Sequence, residues 1–255
     1  MNIKNDIKWK VISINFSYDC AKTKRCKNCY FELAQKIKGS KTSPKIWESW
    51  IFSVFQNTEQ VALSYNGKDF VTFIEILDRV NHYNVGAKVN ITTRPEFLTD
   101  GKIAYFGKNK VNSITLSLDI PILKKKNLND FNSCIDKIKK VGMVPCVSIL
   151  MFDNSWSTIN KVLPLLSKNI KQIHLLRPKY YTTKISKEKR SSMLFLLKQV
   201  DKRIFVDQCF NFELNGIPCT RGSDFVSINP DASVSLCSFD FKRENKFHLT
   251  KCPFI

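Results

Sequence analysis

Three cysteines stand close together near the start of the chain, in Cys20-Ala-Lys-Thr-Lys-Arg-Cys26-Lys-Asn-Cys29-Tyr30. Thiolates are the soft donors that iron–sulfur clusters and zinc both select. Three of them on one loop hold three irons of a cubane and leave the fourth iron open to an external ligand, whereas a closed [4Fe–4S] site takes four cysteines. Structural zinc is the competing reading, since it too uses Cys-x-x-Cys pairs. Zinc needs a fourth ligand, and the next candidates along the chain are as distant as His82 and Cys134.

Six more cysteines follow, four of them in the tail: Cys209, Cys219, Cys237 and Cys252. The segment MNIKNDIKWK lacks the apolar stretch and cleavage site of a signal peptide. A soluble cytoplasmic protein with no membrane association is therefore expected, and reduced thiols in that compartment bind metal or do chemistry. Cys134 and Cys146 fall within apolar patterns and read as core thiols. His82, His174 and His248 read as structural histidines.

These groups need a scaffold, and the apolar pattern supplies one. Strand-like runs cover 9–16, 60–65, 87–93, 113–120, 144–152, 170–177 and 203–207. Helical spacing covers 30–38, 44–55, 70–83, 131–141, 157–168 and 187–200. The alternation predicts an α/β fold with a parallel sheet, because parallel neighbours need crossover helices. The number of units suits a partial (β/α)6 TIM-like barrel, with active residues at the C-terminal ends of its strands. The expected division is a barrel over 1–207 and a small cysteine-rich extension over 208–255. Within the extension, 224–239 reads as a β-hairpin turning at Pro230-Asp231-Ala232.

The cysteine trio and its position after the first strand resemble the radical S-adenosylmethionine (SAM) superfamily. That family places three cysteines, usually spaced C-x3-C-x2-C, on the loop after the first strand of a partial barrel. The spacing here is C-x5-C-x2-C, and Asn28 occupies the slot where the family favours an aromatic. The resemblance extends over about residues 9–240. Ser64-Tyr65-Asn66-Gly67-Lys68-Asp69 stands where the family has a Gly-Gly-Glu-like segment; it keeps one glycine and lacks the glutamate. Ser117 and Asp119 match the end of the family's fourth strand, Thr93 the third, Ser148 the fifth and Arg177 the sixth.

The resemblance implies a [4Fe–4S] cluster on Cys20, Cys26 and Cys29, and SAM as cofactor. It implies SAM contacts from Asn66, Gly67, Thr93, Ser117, Asp119, Ser148 and Arg177. Reductive cleavage of SAM would yield a 5′-deoxyadenosyl radical that abstracts hydrogen from a substrate. The electron would come from a flavodoxin or ferredoxin. The tail resembles twitch-type or SPASM-type extensions, which implies a second, auxiliary cluster on Cys209, Cys219, Cys237 and Cys252, and favours a peptide or protein substrate.

Charge keeps another substrate open. The chain carries 41 Lys+Arg against 22 Asp+Glu, a net +19, which suits a nucleic acid or nucleotide. Its lysines are scattered, however, as AT-rich coding would also produce. A non-catalytic, zinc-containing nucleic-acid binder is the reading from a different class.

Overall fold

The computed structural model describes residues 9–17, 19–21, 58–83, 86–120, 125–178, 182–219, 224–230 and 234–237. The helices expected at 30–38 and 44–55 lie outside these residues. In chain order the described strands are β1 (Val11–Ile14), β2 (Gln60–Ser64), β3 (Lys88–Thr93), β4 (Val111–Leu118), β5 (Val144–Leu150), β6 (Gln172–Leu176), β7 (Ile204–Val206), β8 (Phe225–Ile228) and β9 (Val234–Ser235). The α-helices are α1 (Phe70–Tyr83), α2 (Asp100–Lys108), α3 (Lys125–Lys140), α4 (Asp153–Val162), α5 (Lys187–Val200) and α6 (Gln208–Asn215). The chain forms two compact units, Met1–Asn90 with Thr220–Ile255, and Ile91–Cys219.

In the first unit, β1 pairs in parallel with β2 on one edge and with β8 on the other. Alternation along these strands sends Ile12, Ile14, Val61, Leu63, Val226 and Ile228 to one face, each at most 1% exposed. Helix α1 covers apolar surface of this unit with Phe73, Ile76, Leu77 and Val80, the i, i+3, i+4, i+7 stripe of an amphipathic helix. The Phe73 ring lies 4.9 Å from that of Tyr65 and 5.4 Å from that of Phe16. Full burial of each such side chain contributes roughly 1.5–3 kcal/mol. Asp69 starts the helix, its Oδ1 accepting from the Thr72 amide at 3.4 Å.

Ser13 and Asn15 alternate onto the opposite face of β1, and Ser227 and Asn229 onto that of β8; all four are buried. Burying Asn15, Ser227 and Asn229 is tolerable because their side chains find hydrogen-bond partners. Asn15 Nδ2 donates to Ser227 Oγ at 3.4 Å, and Asn229 Nδ2 to Ser235 Oγ at 3.1 Å. The hairpin expected over 224–239 forms as the antiparallel pair β8–β9. Its parallel pairing with β1 is an addition that the hairpin pattern alone does not reveal.

The second unit contains strands in the order β4-β5-β6-β7, all parallel. Apolar residues of α3 (Leu128, Phe131, Ile135, Ile138) and α4 (Trp156, Ile159) are buried. Helix α3 begins six residues before the expected start, because Leu128 extends its apolar stripe. It ends as expected at Gly142, whose φ of +87° is the left-handed conformation that favours glycine and whose amide reaches Lys139 O at 3.0 Å. Helix α4 starts at Asp153 and gives way to a 3-10 turn at Leu163–Leu165. Pro164 there cannot donate to a helical ladder.

Two helices were not expected. A 3-10 turn at Pro95–Phe97 and then α2 fill the interval between the third and fourth strands. Helix α6 occupies the start of the cysteine-rich segment. Among the described residues, no helix is long and apolar enough to cross a membrane.

Candidate functional site at the strand ends

Cys20 follows β1 on a loop held at two points by a single residue. Asn66, just past the end of β2, donates from Nδ2 to Ser17 O at 3.1 Å and accepts from the Ala21 amide through its own carbonyl at 3.0 Å. Ser17 Oγ also accepts from the Asp19 amide at 3.1 Å, a short side-chain turn within the loop. The chain around Cys20 is thus fixed from before and after the thiol, which is half-buried and in no disulfide. A soft donor on an ordered loop beyond a strand's C-terminal end fits an iron–sulfur ligand. Gly67, at φ +84°, turns the chain away from β2 immediately after this clamp. Cys26, Cys29 and Cys252 lie outside the described residues.

In the second unit, Ser117 near the end of β4 and Ser148 on β5 are register partners with their hydroxyl oxygens 3.3 Å apart. Asp119 follows β4 and is half-buried. Thr93 alternates onto the buried side with Val89 and Ile91, while Thr92 takes the other side of β3.

Arg177, just past β6, is engaged by the protein itself. Its Nε donates to Glu213 Oε2 at 2.7 Å, and its amide to Asp207 Oδ2 at 3.1 Å. Arg190 of α5 donates from Nη2 to the other Glu213 oxygen at 2.9 Å. Burial alone would push the Glu213 carboxyl up, but the hydrogen bonds from Arg190 and Arg177 outweigh it and hold the group below the usual glutamate range. The resulting network fixes the C-terminal end of β6 against α5 and α6. Sequence reasoning missed Glu213 because it lay past the last expected strand, and Asp207 because it read as the final residue of that strand, 203–207. Asp207 did carry a signal, as an acidic N-cap nine residues before Gly216, which closes α6 at φ +68°.

The tail cysteines occupy different places. Cys209 opens α6, Cys219 donates from Sγ to Gln208 Oε1 at 3.5 Å, and Cys237 follows β9. Among the described residues, no three side chains of His, Cys, Asp or Glu form a group that would hold a metal ion. Cys134 and Cys146 are core thiols, as expected. Burial pushes Cys134 up to about 11 and Cys146 in the same direction, so neither provides thiolate near neutral pH.

Neither a family model nor a curated protein matches the sequence. Solved structures do match it. SuiB of Streptococcus suis bound to S-adenosylmethionine superposes with a TM-score of 0.74 at 14% identity, over 94% of this chain and 62% of that one. The anSMEcpe enzyme with bound AdoMet and Cp18Cys peptide gives 0.63 at 14% identity, over 91% and 74%. HemN of Escherichia coli, a coproporphyrinogen III oxidase described as a radical SAM enzyme, gives 0.51 at 9% identity, over 87% and 63%. The fold is that of the radical SAM enzymes. With it, the expected α/β partial-barrel class stands. The chain spans about three fifths of the length of SuiB.

Proposed function

We propose that this chain is a radical SAM enzyme acting on a peptide or protein. The observation that carries the reading is the clamped loop: Cys20 sits beyond β1, gripped through Ser17 and Ala21 by Asn66 at the end of β2, in a fold shared with radical SAM enzymes. Cys20, Cys26 and Cys29 would hold the cluster, and Asn66 with Gly67 would lie against the methionine end of SAM. Ser117, Asp119 and Ser148 would supply hydroxyl and carboxylate partners for its sugar. When bound, the cluster supplies the electron that cleaves SAM and thereby provides the radical for hydrogen abstraction.

The protein's own work is binding, orientation and exclusion of water. Asn66 orients the cysteine loop through the backbone atoms of Ser17 and Ala21. The Arg177–Glu213–Arg190 network keeps the end of β6 in place; in this reading Arg177 acts mainly by position. The peptide assignment draws on two neighbours, SuiB solved with its precursor peptide SuiA and anSMEcpe with a cysteine-containing peptide. A flavodoxin or ferredoxin would deliver the electron.

The test is anaerobic reconstitution followed by incubation with SAM and dithionite. The expected product is 5′-deoxyadenosine, formed by the reconstituted chain and lost in Cys20→Ala together with cluster iron. A colourless protein with stoichiometric zinc, or an intact reduced cluster that leaves SAM uncleaved, would overturn the reading. Deuterium transfer into 5′-deoxyadenosine from a labelled peptide pool would support the peptide assignment. Transfer from labelled RNA instead would overturn it.

A further inference from the structure

The second unit carries a row of side chains to which the proposed function gives no complete role. Parallel register sets Ser117 beside Ser148, Ser148 beside His174, and His174 beside Phe205. Register partners on parallel strands project to the same face, because side-chain direction alternates with period two. The opposite face is fixed by burial. Leu116, Val147, Ile173 and Ile204, each one position earlier, are at most 4% exposed.

The row changes character along its length. At one end the Ser117 and Ser148 hydroxyls are paired at 3.3 Å. At the other, on β7, Phe205 is 44% exposed, with its ring 5.9 Å from the imidazole and tilted by 31°. His174 stands between paired hydroxyls and an open apolar ring.

The protein also sets the tautomer of this histidine. His174 Nε2 is 3.2 Å from Gln172 Oε1, two residues earlier on the same face of β6. An amide oxygen only accepts, so a hydrogen bond to it requires the imidazole proton on Nε2 and leaves Nδ1 its lone pair. Among the described residues Nδ1 has no hydrogen-bond partner. Burial pushes His174 below its ordinary value, with Asp207 at the end of β7 acting weakly in the opposite sense. The same face carries the Cys146 thiol of β5, beside Gln172 in register and itself pushed up by burial, and the Asp119 carboxyl follows Ser117 by two residues at the end of β4. Ser148 and Phe205, the direct neighbours, carry no charge. The imidazole is a neutral acceptor held in one orientation.

We propose that His174 is a substrate-recognition residue, whose Nδ1 accepts a hydrogen bond from a neutral N–H or O–H donor while the adjoining apolar part of the substrate lies on Phe205. A neutral acceptor in a half-buried site favours a neutral donor, since a cation would lose water without gaining a counter-charge. Within the peptide reading, on which this inference rests for its substrate class, the occupant is an aromatic or aliphatic residue presented with its amide or hydroxyl.

The test uses the reconstituted full chain with 15N-labelled histidine. The sequence holds three histidines, so loss of one signal in His174→Asn assigns it. The expected state is the neutral Nε2–H tautomer, with a titration midpoint below the ordinary 6.5. Gln172→Leu is expected to release the lock and populate the Nδ1–H form. A wild-type Nδ1–H tautomer, a midpoint at or above 6.5, or indifference to Gln172→Leu would each overturn the proposal. N-acetyl-tyrosinamide, an aromatic ring beside neutral donors, serves as the ligand probe. It is expected to shift the His174 signal saturably, and Phe205→Ala to weaken that binding by about tenfold; no shift up to the probe's solubility, or equal binding by Phe205→Ala, would overturn it. Neither measurement needs SAM turnover, so their failure is separable from an absence of 5′-deoxyadenosine.

Discussion

Asn66 shows how little of a residue's role follows from its place in a motif. Its position after the second strand marks it as a SAM contact by resemblance. The structure adds that its side chain and backbone together hold the Cys20 loop. That second role was hidden because it depends on Ser17 and Ala21, more than forty residues earlier in the sequence, coming within hydrogen-bond reach. Asn66→Ala removes one bond, a loss of about 1 kcal/mol. The expected outcome is a folded chain that retains less cluster iron after gel filtration than wild type. Equal iron retention in the two proteins would show that the backbone contact alone suffices. The His174 row was equally illegible, because it exists only once strand order and register are known. In sequence, His174 is one polar residue inside an apolar strand.

At the level of elements, the long amphipathic segments were legible and the short ones were not. Helices α1 and α5 match their expected limits, 70–83 and 187–200. The first carries a full apolar stripe, and Ser186 caps the second by accepting from the Lys189 amide. Helix α2 buries only Ile103 and Phe106, too few to make a periodic signal. Helix α6 likewise buries only Phe210 and Leu214. It nevertheless provides Glu213, which bridges β6 and α5 through Arg177 and Arg190. Glu213→Gln leaves two guanidinium groups without their shared carboxylate, an expected loss of about 2 kcal/mol after allowance for partial exposure. The sign of the pH effect follows from the depressed carboxyl. The ionised form stabilises the fold above the unfolded-state value near 4.5, and this contribution is lost as pH falls through the lower folded value. Urea midpoints at pH 7 are expected to separate wild type from the variant, and the gap to close as pH falls below about 4. A constant gap would mean that the network is not electrostatic.

For the whole molecule, the sequence pattern was sufficient for an α/β class because strands buried on both faces and intervening helices leave few alternatives. The parallel attachment of β8 to β1 lay beyond it, since no periodicity states which edge a terminal strand will choose. Substrate class is also a whole-molecule question. A net charge of +19 predisposes the chain to polyanions in low salt. SAM binding should be visible globally: at a hundredfold excess over its Kd, a ligand of the native state adds about 2.7 kcal/mol. For a chain of this size the melting midpoint of the reconstituted protein should rise by roughly 2–4 °C per kcal/mol. No rise is expected in Cys20→Ala; an equal rise there would place SAM elsewhere. The β1–β8 pairing has a consequence for biogenesis. The strand that leads into Cys20 finds β2 within about fifty residues, but its other edge must wait for Phe225–Ile228, over two hundred residues later in the chain. Throughout that interval the edge is an open template for intermolecular pairing. Expression with slow elongation or little chaperone is therefore expected to yield aggregates nucleated at residues 11–14, immediately before the Cys20 loop.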